Sequence, residues 1–176
     1  MFAQLDTKSV YSFMDSVVDL TTYIKRAKDL GYQALGLMDR DNLYAAYHFA
    51  QLASRNGLHP LIGMEANLFY EGRKIPFRLL AKNNQGYKNL MKLATELSSG
   101  QREFTAFSDY LNAIALILPS EDWEPGMTLG SEVFIGVRPE DAGKEFDYPV
   151  VPLHTVRYFE NADRSTIQML HAISQN

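Results

Sequence analysis

An α/β domain built on mostly parallel strands is predicted by three observations. Short β-like runs alternate with stretches of helical period, turn residues punctuate the junctions, and 46% of the 176 residues are hydrophobic, enough for one buried core. The count of runs gives about six or seven strands, in an open sheet or a barrel. In either case ligands gather beyond the carboxyl ends of the strands, so chemistry is expected in the residues just after each one.

Phe2 to Leu5 is the first strand. From Asp19 to Leu30 the apolar residues Leu20, Tyr23, Ile24, Ala27 and Leu30 recur at helical spacing, and Gly31 follows where a left-handed cap would end the helix. Gln33 to Met38 reads as a buried strand, and the polar turn Asp39-Arg40-Asp41-Asn42 leads into a second helix ending before Gly57. Leu61 to Leu68 and Ile75 to Ala81 are further strands, and Gly86 to Leu97 is a helix with Leu90, Leu93, Ala94 and Leu97 on one face. Asn112 to Leu118, Glu132 to Val137 and Val150 to Leu153 read as strands between turn-rich loops, and Ala162 to Ile173 as a final helix.

Composition narrows the function classes. The chain has no cysteine, which excludes disulfides and thiolate metal sites and fits a reducing cytoplasm. No run approaches the ~20 apolar residues of a membrane span, so a soluble cytoplasmic protein without a membrane partner is expected. A net charge of -4 argues against a surface that coats nucleic-acid phosphates, because such affinity rests on clustered Lys and Arg. No Gly-x-Ser-x-Gly elbow, Walker loop or dinucleotide glycine loop is present.

The strand-end positions hold Asp6, Thr7, Lys8 and Ser9, then Asp39, Arg40 and Asp41, then Glu65, then His154, Thr155 and Arg157. Asp6, Asp39 and Glu65 could form a carboxylate cluster for Mg²⁺ or Mn²⁺, which favour oxygen ligands. Alternatively they cap turns or pair with Lys8, Arg40 and Arg157. The second reading is preferred, since cations inside a ligand shell repel a divalent ion. The four histidines, His48, His59, His154 and His171, form no ligand pair at i, i+2 or i, i+4, and are read as structural. The 10 Tyr and 10 Phe, interleaved without a basic stripe, are read as core in preference to base-stacking platforms.

Several stretches resemble the N-terminal PHP domain (polymerase and histidinol phosphatase domain) of bacterial DNA polymerase III alpha subunits. The opening through Ser12 is similar to that family's Phe-Val-His-Leu-His-Val-His-Ser-Glu-Tyr-Ser, with Ser9, Tyr11 and Ser12 matching and all three histidines replaced. Gly36 to Leu43 stands at the family's Ala-Leu-Thr-Asp-His-Gly-Asn-Met, and Pro60 to Glu65 at its Pro-Ile-Ile-Gly-Cys-Glu. The stretch Leu79 to Leu93 is nearly the family's own.

The resemblance covers nearly the whole chain and implies a distorted (β/α)₇ PHP barrel, with residues 1–176 as a single domain at the N-terminus of a much longer polymerase. In that family two or three metal ions at the strand ends, where intact, support phosphoester hydrolysis. Here the first His-x-His pair falls on Asp6 and Lys8, the Asp-His pair on Asp39 and Arg40, the Glu on Glu65, a later His on Pro76, a Cys on Pro119, and the closing Asp-x-His on Thr155 and Arg157. Proline offers no side-chain donor, and lysine and arginine bring positive charge. The resemblance therefore implies a vestigial site with no catalytic residue, metal or other cofactor of its own, in a structural scaffold.

For the parent it implies a DNA-directed DNA polymerase, a nucleotidyltransferase of DNA replication with Mg²⁺ at its polymerising site. Its partners would be the thumb and palm domains, other replisome subunits and, through the parent, primer-template DNA. The rival implication is an active metal-dependent phosphoesterase or 3′-5′ exonuclease of the PHP superfamily.

Overall fold

Apolar alternation and helical period lay down the elements in the computed structural model, which describes residues 3–130, 132–141 and 143–174. In chain order they are β1 (Ala3–Gln4), β2 (Asp6–Thr7), α1 (Leu20–Asp29), β3 (Ala34–Arg40), α2 (Ala46–Arg55), β4 (His59–Tyr70) and β5 (Arg73–Ala81). There follow α3 (Asn84–Ser98), β6 (Ile114–Pro119), β7 (Val133–Val137), β8 (Val150–Pro152), β9 (Thr155–Val156) and α4 (Asp163–Ser174). Every expected strand and helix has its counterpart, most boundaries moving by one or two residues. Phe2, which opens the first expected strand, lies outside the described residues.

Local chemistry explains the ends. Asp19 is extended and accepts from the Thr22 amide at the start of α1, while Asn83 accepts from Gln85 and Gly86 at the start of α3. The α1 stripe of Leu20, Tyr23, Ile24 and Ala27 is buried against Leu35, Leu37 and Phe49, with the Tyr23 and Phe49 rings stacked at 6.1 Å. Fully burying one such apolar side chain contributes about 1.5–3 kcal/mol.

Seven strands form one sheet in the order β1-β3-β4-β5-β6-β7-β8, and β2 pairs with β9 apart from it. The pairings β1–β3, β3–β4, β6–β7, β7–β8 and β2–β9 are parallel, as expected. The exceptions are β4–β5 and β5–β6, which are antiparallel. The cause is the tight turn at Glu71-Gly72, both at positive φ (49° and 78°), which leaves no room for a crossover.

The β2–β9 pair closes the sheet. Only Leu5 separates β1 from β2, and only Leu153 and His154 separate β8 from β9. Pairing Asp6 with Thr155 and Thr7 with Val156 therefore draws the two edges of the large sheet together, and the Gln4 side-chain Nε2 donates to the His154 carbonyl across the seam at 2.6 Å. The result is a distorted α/β barrel, in which the β4–β5 hairpin replaces one strand-helix unit.

Strand alternation then sorts the side chains. Leu79, Leu116, Leu118, Val133 and Ile135 face outward onto the cluster packed by α3, whereas Met38, Ile117 and Leu153 meet Leu5, Leu80 and Phe134 in a separate interior cluster. Beside that apolar plug, at the strand ends, the inward positions become charged.

Candidate functional site at the barrel mouth

Lys8, just past β2, is 0% exposed and heads the largest fully buried side chains. Its Nζ lies 2.7 Å from Asp6 Oδ1, 2.7 Å from the Met38 carbonyl and 3.0 Å from Glu65 Oε2. An ammonium has three N–H donors and no acceptor, so three oxygens match its capacity.

Arg78, on β5 opposite Glu65 in register, adds a second cation. Its Nε donates to Asp6 Oδ2 at 3.0 Å, one terminal nitrogen lies 3.2 Å from Glu65 Oε2, and the other donates to the Pro76 carbonyl at 2.6 Å. The Thr155 hydroxyl donates to Asp6 Oδ2 at 2.7 Å. Asp6 of β2 and Glu65 of β4 are thus tied together through Lys8 and Arg78.

A second group extends this layer toward the surface. Arg40 donates to Glu65 Oε1 at 3.1 Å and to the buried Asp15 at 2.8 Å. Arg157 reaches the other oxygen of Asp15 at 2.9 Å, and His171 of α4 lies 2.9 Å from that same oxygen. Three carboxylates, Asp6, Asp15 and Glu65, therefore share four cations, Lys8, Arg40, Arg78 and Arg157. Burial penalises the charged form of Arg40, yet Asp15 and Glu65 outweigh it and push its pKa up.

The expected residues are thus distributed in three ways. Asp6, Lys8, Arg40, Glu65, Thr155 and Arg157 join one network. Pro76 contributes only its carbonyl, and Pro119 ends β6. Asp39 is turned away from Arg40 by strand alternation, and its oxygens accept from the Ser9 amide (2.6 Å), the Ser9 hydroxyl (2.7 Å) and the Ser12 hydroxyl (2.7 Å). Its neighbours are serines, and it pins the loop after β2. Sequence reasoning missed Arg78, Asp15 and His171. An arginine in the middle of the apolar run Ile75 to Ala81 was the available signal for the first.

Beyond the network a cleft of about 500 Å³ opens among Arg78, Arg138, His154, Thr155 and Arg157. A larger cavity of about 900 Å³ lies elsewhere, on the outward face by Phe104, Leu116, Leu129 and Val133.

The charges reach into the titration of the site. Burial alone pushes the Asp6 carboxyl up, but Lys8 and Arg78, with hydrogen bonds from Lys8 and Thr155, overcome it and hold the pKa at about 2 against an ordinary 3.8. Glu65 is likewise held down by Lys8 and Arg78, against burial and the nearby Asp6. A carboxylate depressed in the folded state stabilises the fold above its unfolded pKa, and that contribution is lost as pH falls toward the folded value.

Urea midpoints are accordingly expected to fall between about pH 4.5 and pH 2, with Asp6 alone accounting for roughly 2 kcal/mol. A flat profile over that range would contradict the network.

The residues present do not suit the metal cluster that the resemblance associates with this fold. Among the described residues no group of three or more His, Asp or Glu side chains is placed to hold a metal ion. Asp6 and Glu65 already carry cations within hydrogen-bond distance, and a divalent ion would have to displace them against Coulomb repulsion.

Comparison with known proteins adds the family. A model described as the PHP domain matches residues 4–127. The chain is 45% identical, over its whole length, to DNA polymerase III subunit alpha of Streptococcus pyogenes serotype M1, but spans 17% of that protein. It is 32% identical, over 68% of its length, to the corresponding Bacillus subtilis (strain 168) subunit, of which 11% is matched. An amidohydrolase structure from Chromobacterium violaceum aligns over 56% of the chain and 34% of its own, with 21% identity and a TM-score of 0.47. No helix among the described residues is long and apolar enough to cross a membrane.

Proposed function

The chain belongs to the PHP domain family, and on that footing we propose that it is the N-terminal PHP domain of a replicative DNA polymerase III alpha subunit, acting as a non-catalytic scaffold. The observation that carries this reading is the buried Lys8 ammonium between Asp6 and Glu65. A metal-dependent hydrolase needs those carboxylates free to neutralise an ion and activate a water. Here both are committed to lysine and arginine.

Within the parent polypeptide the domain packs against the thumb and palm and helps position other replisome subunits. The chemistry of nucleotide addition, with its Mg²⁺, and the contact with primer-template DNA belong to other domains. The compartment is the cytoplasm. The similarity to polymerase subunits over the full chain supports this assignment, and the net charge of -4 is consistent with a domain that does not itself grip DNA.

The rival is a working phosphoesterase or 3′-5′ exonuclease. The purified chain, incubated with Mn²⁺ or Zn²⁺ and desalted, is expected to carry substoichiometric metal by elemental analysis. It is also expected to leave p-nitrophenyl phosphate and single-stranded DNA intact. Stoichiometric metal, or hydrolysis abolished by Glu65→Gln, would overturn the scaffold reading.

A further inference from the structure

We propose that Lys8 is the domain's own cation: a tethered ammonium that fills an oxygen cage, such that removing the amine leaves a site for a free alkylammonium ion and not for a divalent metal. The inference rests on the scaffold reading above and goes further, because it assigns one residue the role of an ion and names what would replace it.

Three features carry it. The first is coordination. Nζ meets Asp6 Oδ1, Glu65 Oε2 and the Met38 carbonyl, all within 3.0 Å, so each N–H has an oxygen from a different strand or strand end. The second is burial. Lys8 is 0% exposed, so in the intact chain these oxygens are met by the ammonium and not by bulk solvent.

The third is charge. Without Lys8, Arg78 still lies against Asp6 and Glu65, and Arg40 against Glu65 and Asp15. With Arg157 also on Asp15, three guanidiniums then face three carboxylates. A monovalent ion restores the charge of the intact network, whereas a divalent ion exceeds it beside those guanidiniums. The Met38 carbonyl adds directional selection, since it accepts an N–H without contributing charge. An ammonium headgroup on a short alkyl stem fits both the oxygens and the channel that the lysine stem vacates.

Lys8→Ala removes a fragment equivalent to propylammonium. In the purified chain this substitution is expected to lower the melting temperature by about 10 °C, because it takes the buried ammonium away from two buried carboxylates. Millimolar propylammonium should restore part of that loss saturably, while 1-propanol and Mn²⁺ should not. Equal effects of 1-propanol and propylammonium, no rescue by either, or a larger rescue by Mn²⁺ would each overturn the proposal.

Should Lys8→Ala fail to fold, the volume-conserving Lys8→Met supplies a second test. Glu65→Gln should then cost less in the Lys8→Met background than in the unmodified chain, and an equal cost would refute the role. Stoichiometric Mn²⁺ on the unmodified chain would sink the scaffold reading as well. A metal-free unmodified chain whose Lys8→Ala variant ignores propylammonium would sink only the tethered cation.

Discussion

Replacing Asp6 with alanine is expected to destabilise the fold by about 3–5 kcal/mol, the range found when one partner is removed from a buried ion pair. Asp6 is 0% exposed, and its two oxygens serve Lys8, Arg78 and Thr155 together. Truncation leaves an ammonium with one acceptor fewer, a guanidinium with an unmatched Nε, and a hydroxyl without its acceptor, the ammonium out of reach of bulk water. The loss is a large fraction of the ~5–15 kcal/mol that holds a domain together, so much of the variant would unfold at modest urea concentrations.

The measurement is urea denaturation followed by far-UV circular dichroism near pH 7, with unchanged m-values required for the comparison. Adding Lys8→Met to Asp6→Ala should recover part of the loss, since the pair is then removed together and not broken. If Asp6→Ala costs under about 1 kcal/mol, the network is decoration on a barrel held by its apolar core.

Much of the fold was legible because it rests on local pattern. The 3.6-residue spacing of Leu20, Tyr23, Ile24 and Ala27 needs no tertiary information, and Asp19 marks the start of its helix by a hydrogen bond three residues long. The β4–β5 hairpin was readable in principle. The gap between the expected strands Leu61–Leu68 and Ile75–Ala81 is too short for a crossover helix, which requires about ten residues. What could not be read is the seam. The pairing of Asp6 with Thr155 joins positions far apart in the chain, and neither β2 nor β9 exceeds two residues.

The same distinction governs the site. Lys8, Arg40, Glu65 and Arg157 were identifiable because strand ends converge in any such barrel. Their partners depended on which face each residue takes, and a one-residue step decides that. Asp39 and Arg40 are neighbours in sequence, yet one meets Ser9 and Ser12 and the other meets Glu65 and Asp15. Asp15 sits in an irregular loop after β2 with no periodic signal, although it gathers Arg40, Arg157 and His171 from three separate segments.

Gly36→Ala is the second large effect, and it tests closure of the barrel independently of charge. Gly36 lies within β3, and a methyl group there would sit 1.9 Å from the Leu5 carbonyl oxygen, 2.7 Å from its carbon and 2.9 Å from its Cα. These are backbone atoms at the link between β1 and β2, so no side-chain rotation relieves the contact. Leu5 could retreat only by shifting Asp6 and Thr7 away from Thr155 and Val156, which unpicks the seam.

Overpacking of a core by one methyl group costs about 1–3 kcal/mol when side chains can adjust. Against fixed backbone the cost should reach about 3 kcal/mol or more. Gly63→Ala supplies the comparison, because its nearest backbone atom is 2.7 Å away and its other close neighbours belong to the flexible Met38 side chain. Urea unfolding should therefore rank Gly36→Ala well below Gly63→Ala.

Hydrogen exchange adds a local readout at the Lys8 amide, which donates to the Val156 carbonyl at 2.9 Å just past the paired residues. That amide should lose protection in Gly36→Ala before the amides of α3 do. A Gly36→Ala protein as stable as Gly63→Ala, with the Lys8 amide still protected, would mean that the Leu5 link does not pass Gly36 this closely and that the barrel is not drawn shut at this seam.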